Sequence, residues 1–185
     1  MSEKNRPHFY TGDTHFGHKN VIKYCNRPYD MVEEMNEDII SRWNNKVPKN
    51  SLVFHLGDVM FGGSAEAKLI LPRLNGEKVL IIGNHDEEST LRQYFTMMRY
   101  NHMFTDPIIQ RKVLLSHFPY ESWAGSYHGV IHLHGHCHGN LKTYLPNRLD
   151  VGVDCHPHYE PFSSEEVLEL VETQKAFAPE IPEGN

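Results

Sequence analysis

Three apolar runs in this chain each stop at a glycine followed directly by an acid or an amide. His8-Phe9-Tyr10-Thr11 ends at Gly12-Asp13, Ser51-Leu52-Val53-Phe54-His55-Leu56 at Gly57-Asp58, and Lys78-Val79-Leu80-Ile81-Ile82 at Gly83-Asn84. The second and third are almost continuously apolar, as strands buried on both faces of a parallel sheet are. Helical spacing separates them. Met31, Met35, Ile39 and Trp43 mark a helix over 31–45, with Asp30 and Glu33 as its capping box. Ser64 caps another helix running to about Leu71, and a third is expected over 87–98. Strands alternating with helices in this way predict an α/β fold built on a parallel sheet.

The second half changes character. Strands are expected at 108–110 and 112–115, joined by a tight hairpin at Arg111-Lys112, then at 129–133 and 149–153. Ser163 with Glu166 forms a second capping box, opening a helix over 164–177. A chain of 185 residues is long enough to bury a core without staples. The expectation is one domain over 1–178 and a flexible Pro/Glu-rich tail over 179–185.

A net charge of −6 argues against a tight grip on duplex nucleic acid, which needs basic patches, but not against a small nucleotide. Three cysteines without C-x-x-C spacing read as free thiols in a reducing compartment. Met1–Arg6 has no apolar leader and no stretch reaches membrane-spanning length, so no membrane partner and a cytoplasmic location are expected.

In open α/β sheets ligands bind beyond the carboxyl ends of the strands. Asp13, Asp58 and Asn84 therefore converge on one rim although they lie far apart in sequence. Two later strand ends add His117 and the turn Gly135-His136-Cys137-His138. Asp or Asn after a strand is an ordinary turn former when taken singly. Five strand ends that deliver Asp, Asn and His to one edge are not explained by turn chemistry. Oxygen donors mixed with imidazole suit Mn²⁺, Fe or Zn²⁺, and the lack of thiolate spacing argues against a structural zinc. His55 and His134 lie inside apolar runs and are expected to be hydrogen-bonded core residues rather than ligands.

The order Asp13-Thr14-His15, Gly57-Asp58, Gly83-Asn84-His85-Asp86, His117, Gly135-His136-Cys137-His138 resembles the signature of the calcineurin-like metallophosphoesterases. The motifs span about two-thirds of the chain. Asp13–Asn20 followed by Asn26-Arg27-Pro28 further resembles a compact bacterial and phage group. The resemblance implies a four-layer αββα sandwich and two divalent ions, with Mn²⁺ favoured over Fe, Zn²⁺ or Ni²⁺. Asp13, His15, Asp58 and His138 would hold the first ion, and the shared Asp58 with Asn84, His117 and His136 the second. It implies attack of a metal-bridging hydroxide on phosphorus, the ions lying roughly 3.5–4 Å apart. His85 would serve the leaving group, with Asp86 orienting its imidazole and raising its pKa. His18, Asn20 and Arg27 are expected to contact substrate, since the loop that carries them leaves the rim beside Asp13 and Arg suits phosphate.

The short segments between motifs fit a compact phosphodiesterase acting on cyclic nucleotides or other small diesters. A phosphomonoesterase or small nuclease is the enzymatic alternative. A non-catalytic interaction scaffold is the alternative of another class, and the intact ligand set speaks against it. Oligomeric state is not readable from the sequence.

Overall fold

The computed structural model describes residues 6–176; the expected tail over 179–185 and the end of the last helix at Phe177 lie outside the described residues. The first sheet contains β1 (His8–Thr11), β2 (Leu52–His55), β3 (Glu77–Ile81), β4 (Met97–Arg99) and β9 (Phe162–Ser163), in the order β4-β3-β2-β1-β9. Its first four strands run parallel and β9 pairs antiparallel with β1. The second sheet contains β5 (Asn101–Asp106), β6 (Arg111–Ser116), β7 (Ile131–His134) and β8 (Arg148–Asp150), in that order. Its β5–β6 pair is an antiparallel hairpin, and β6, β7 and β8 are parallel.

The sheets face each other. Tyr10, Phe54, Leu56, Val79 and Ile81 from the first share one core with Val113, Leu115, Ile131, Leu133 and Leu149 from the second. Helices α1 (Lys19–Tyr24), α2 (Val32–Lys46) and α3 (Ser64–Ile70) line the first sheet's other face, where Met35, Ile39, Trp43, Ala67 and Ile70 pack on Phe9, Val53 and Leu80. Helix α5 (Ser164–Ala176) adds Val167 and Val171 to the inter-sheet core. Trp123 and Val130 cover Leu114 in a third, smaller cluster. The fold is thus α/β, two sheets flanked by helices. Among the described residues, no helix is long and apolar enough to cross a membrane.

Local chemistry accounts for most element ends. Ser163 and Glu166 form a reciprocal box: the Ser163 N–H donates to Glu166 Oε2 at 2.8 Å, and the Glu166 N–H to Ser163 Oγ at 3.2 Å. The expected box at Asp30 and Glu33 does not form. Met31 is the extended N-cap of α2 and 60% exposed, and it is Glu34 that accepts the Asp30 N–H.

Two expectations over 87–110 are corrected. The helix predicted over 87–98 is a single turn, α4 (Glu88–Leu91), followed by a 3₁₀ turn and then β4. The outer edge of β3 decides this. Thr96 donates to the Lys78 carbonyl and Ile82 to the Arg99 carbonyl, which satisfies backbone groups a helix would leave open. The hairpin turn lies at 107–110 rather than at Arg111-Lys112, because Asp106 Oδ1 accepts the Ile108 N–H at 2.7 Å in an Asx turn.

The Asp106 side chain also ties the two sheets together. Its Oδ2 accepts hydroxyl hydrogen bonds from Tyr10 on β1 (2.5 Å) and Ser164 at the start of α5 (2.6 Å), with His8 Nδ1 3.8 Å away. Burial alone would raise this carboxyl; the hydrogen bonds from His8, Ser164, Tyr10 and the Ile108 amide overcome it and hold it down to about 2. A carboxyl depressed in the folded state stabilises above its unfolded pKa and loses that contribution as pH falls through its folded value. We expect wild-type stability to drop by about 2 kcal/mol between pH 5 and pH 2 through this group, with the remainder lost below pH 2. The acid limb of a melting-temperature profile should shrink in Asp106→Asn; an unchanged limb would assign acid sensitivity to other groups.

Candidate metal centre

The loops after β1 and β2 continue side by side beyond the strands: Asp13 donates to the Gly57 carbonyl (2.9 Å), His15 to Asp58 (3.1 Å) and Phe16 to Val59 (3.0 Å). The two later loops are joined by the Gly135 N–H on the His117 carbonyl (3.0 Å). Val153 donates to the Gly12 carbonyl (2.9 Å), linking the loops of the two sheets. Seven side chains from five strand ends are thereby carried to one rim.

The backbone there is strained. Nine non-glycine residues among those described have positive φ, and five of them are Asp13, His15, Asp58, His136 and His138. Such conformations cost energy and persist where the surroundings impose them. Crowding explains the glycines. At Gly57 (φ +89°) a Cβ would sit 2.5 Å from His117 Nδ1 and 2.7 Å from Gly83 Cα, and at Gly135 one would sit 2.7 Å from Asp13 Oδ2.

Two clusters of donors result. The ligand atoms of Asp13, His15 and His138 lie within 4.8 Å of one another, as do those of Asp58, His117 and His136. The His15 and His138 rings stack at 5.3 Å, and the His117 and His136 rings meet edge to face at 5.1 Å. Asp58 lies between the clusters, with Oδ2 3.6 Å from His15 Nε2 and Oδ1 3.5 Å from His117 Nε2. Asn84 Oδ1 lies 3.0 Å from the same His117 nitrogen.

The donors fit cations. His117 Nδ1 is 2.7 Å from the Leu56 carbonyl, so in the neutral ring that nitrogen carries the hydrogen. The Nε2 lone pair then faces two oxygen acceptors, an arrangement that calls for a positive charge among them. Asp13 Oδ1 and His15 Nδ1 are buried with no hydrogen-bond partner. Burial pushes the Asp13 carboxyl well above the usual range, with His138 opposing the shift and Asp150 adding to it. Burial, aided by His138 and Arg27, pushes His15 down to about 2, leaving its ring neutral. Unpartnered buried polar atoms of this kind are costly, and a cation beside Asp13 would satisfy its orphaned oxygen.

His138 Nδ1 donates to Asp154 Oδ2 at 2.7 Å, a carboxylate–histidine pairing that turns the other ring nitrogen toward Asp13 and His15. Burial lowers His138, but the Asp154 bond, with Cys25 and Asp13, raises it to about 10. Cys25, His138 and Asp154 make a third triplet, but Asp154 is already committed to Arg27 and His138. All three cysteines are free.

Two expected roles are corrected. Arg27 is 4% exposed and every guanidinium N–H is used: Nε and Nη2 grip Asp154 at 2.8 Å each, Nη2 also donates to the Asp13 carbonyl, and Nη1 to the Thr14 carbonyl and Met35 Sδ. It has no donor left for a substrate, and it braces the loop that carries Asp13 and His15. The Asp86 carboxylate does not bond the His85 ring; it accepts the backbone N–H groups of Asp58, Val59 and Gly83. It holds the β2 and β3 loops together.

His85 is exposed; its N–H donates to Asp58 Oδ1 at 3.0 Å, and its ring lies 5.9 Å from that of His15. His18 is half-buried, 5.4 Å from the His15 ring, with an unpartnered Nδ1, and Asn20 is exposed in the first turn of α1. His55 and His134 are buried and hydrogen-bonded, to the Thr14 hydroxyl and the Gly135 carbonyl. The Thr14 hydroxyl donates to the Val59 carbonyl, so His55 Nε2 carries the hydrogen toward it. Sequence reasoning missed Asp154. Its signal is Gly152-Val153-Asp154, a further glycine and acid just after a strand, displaced by one residue.

Comparison with known proteins agrees with this geometry. A family model described as calcineurin-like phosphoesterase matches residues 9–175. Protein MJ1445 of Methanocaldococcus jannaschii is 37% identical over 174 residues, covering 90% of this chain and 92% of its own length. Gene 66 protein of Mycobacterium phage L5 is 29% identical over 197 residues, covering 88% and 93%. The crystal structure of AQ665 from Aquifex aeolicus, a protein of unknown function, superposes with a TM-score of 0.73 at 23% identity, covering 90% of this chain and all of that one; it shares the fold.

Proposed function

Because this chain belongs to the calcineurin-like phosphoesterase family, a family of metal-dependent phosphoester hydrolases, we propose that it cleaves small phosphodiesters at the rim built by its strand ends. Asp13, His15 and His138 with Asp58 Oδ2 would hold one divalent ion, and Asn84, His117 and His136 with Asp58 Oδ1 a second, with Mn²⁺ the proposed metal. The observation that carries this reading is the Asp58 carboxylate, whose two oxygens face different clusters. When bound, such ions supply Lewis acidity to a phosphoryl group and lower the pKa of water.

The chain's own groups do the rest. The Asp58 carboxylate fixes the His85 backbone, and so sets where the exposed imidazole stands relative to the clusters. A ring N–H of His85 then donates to the leaving oxygen, as general acid or as charge stabiliser. His18 and Asn20 are the proposed substrate contacts. Arg27 and Asp86 position ligand loops and touch no substrate. A cyclic nucleotide or similar small diester suits this exposed site, and the chain's net charge of −6 argues against duplex nucleic acid as the substrate.

His85→Ala should retain normal Mn²⁺ stoichiometry by elemental analysis while turnover of an aryl phosphodiester falls about 10²–10⁴-fold. Loss of metal in that variant would make His85 a ligand and overturn its role. Absence of hydrolysis of any diester or monoester by the Mn²⁺-loaded wild type would overturn the enzymatic reading and favour a scaffold.

A further inference from the structure

Beside the metal centre lies a cavity of about 390 Å³ lined by Met60, Phe61, Gly62, His85, Glu87, Thr90 and Leu91. Its size is within the range of small-molecule sites. It is continuous with the reaction site through His85, which forms part of its wall. A group esterified to the oxygen that His85 would serve has this space within reach.

Its walls indicate what that group is. Phe61 is 54% exposed, an unusual position for a phenylalanine held in place, and it is held: its ring stacks on His18 at 4.5 Å and 26° and lies 6.5 Å from the His85 ring at 68°. The Phe61 N–H donates to the Phe16 carbonyl at 2.7 Å, in the ladder that also carries Asp13 and Asp58. An exposed, positioned aromatic face is a stacking platform. Met60 and Leu91 add apolar surface and belong to the core behind it. The polar side is Glu87, whose oxygens accept the Ser89 and Thr90 hydroxyls at 3.1 and 3.0 Å. A carboxylate there repels an anionic substituent such as a second phosphate and leaves lone pairs for an N–H donor.

We propose that this cavity is a recognition site for a neutral, planar, nucleobase-sized aromatic group on the leaving side of the phosphoester, with Phe61 as the specificity-determining residue. The proposal rests on the phosphoesterase reading of the metal centre and names the substrate class of that site. Polymeric nucleic acid is disfavoured by the chain's net charge of −6.

The test has two arms. In the first, Mn²⁺-loaded protein cleaves a cyclic ribose phosphate with and without an attached adenine, the same bond with and without the aromatic group. Wild type should prefer the base-bearing substrate by about tenfold or more in kcat/KM. Phe61→Ala should bring the ratio close to one, and Phe61→Trp should keep it. Tyr127→Ala, at a residue 98% exposed and absent from the cavity wall, should change nothing. In the second arm, etheno-adenosine monophosphate is titrated into metal-free protein and its fluorescence read. Binding should weaken about tenfold in Phe61→Ala and survive in Phe61→Trp. A ratio near one in wild type, or one unaffected by Phe61→Ala, would overturn the inference while leaving the phosphoesterase reading intact. No cleavage of either substrate would remove cyclic ribose phosphates from the proposed substrates instead, and the metal-free titration would then decide whether Phe61 stacks a base.

Discussion

Asp58→Asn is expected to remove metal binding and most hydrolysis together. The carboxylate is 2% exposed and stands between His15 Nε2 (3.6 Å) and His117 Nε2 (3.5 Å), one oxygen toward each. An asparagine is isosteric and keeps one carbonyl oxygen, so it still accepts the His85 N–H that Asp58 Oδ1 takes at 3.0 Å. What it loses is the charge and the second acceptor. Its NH₂ group would point hydrogens at one of the two sets of lone pairs, where a cation is wanted. Activity should fall on the order of 10³-fold. The fold should survive, because replacing a buried carboxylate by an amide removes a desolvation cost. The discriminating measurement is the melting temperature with and without Mn²⁺. Wild type gains stability by mass action when an ion binds the folded state alone, and Asp58→Asn should gain none. A variant stabilised by Mn²⁺ as much as wild type would remove Asp58 from the centre.

Arg27→Lys carries the second large effect, and on a different quantity. Arg27 connects α1's far end to Asp154, 127 residues away, and supports the Asp13 and Thr14 carbonyls as it passes. A lysine has a single ammonium and cannot reproduce the paired bonds to both Asp154 oxygens. Asp154, whose side chain is only 7% exposed, would keep His138 and at most a single bond from the ammonium, and the Asp13 and Thr14 carbonyls would lose their donors. Leaving those buried acceptors short of donors should cost about 3 kcal/mol, which is roughly 10 °C for a chain of this length. His138 and Asp13 would lose their bracing, so Mn²⁺ affinity should fall about 10–100-fold, the usual cost of losing support behind a ligand. A substrate contact would behave differently. If Arg27→Lys raised KM and left both melting temperature and metal affinity unchanged, the bracing role assigned here would be wrong.

Much of the fold was legible because strand periodicity and turn chemistry are local. The runs ending at Gly12, Gly57 and Gly83 became β1, β2 and β3, and the Ser163–Glu166 box formed as written in the sequence. The misread segments are those whose fate depends on a distant partner. Residues 87–98 have helical character, yet Met97–Arg99 is drawn into a strand because β3 needs a neighbour. Ile108 and Ile109 look like strand residues, but the Asp106 carboxylate captures their amides and folds them into a turn.

The candidate site divides the same way. Asp, Asn and His just past the strand ends were readable one by one, since a strand's end is marked in the sequence and parallel strands bring their ends to one edge. That property the sequence determined by itself. The division of His138 to Asp13 and His15, and of His136 to Asp58 and His117, was implied by the family resemblance, and the structure clusters the same side chains although the two histidines are neighbours but one. Tertiary structure alone decided how their neighbours are used. It takes Arg27 from the substrate side and commits it to Asp154, and it takes Asp86 from His85 and gives it to three backbone amides. The reason is hydrogen-bond capacity. A buried carboxylate or guanidinium must satisfy every acceptor or donor it has, and the groups that do so come from whichever loops packing brings within reach.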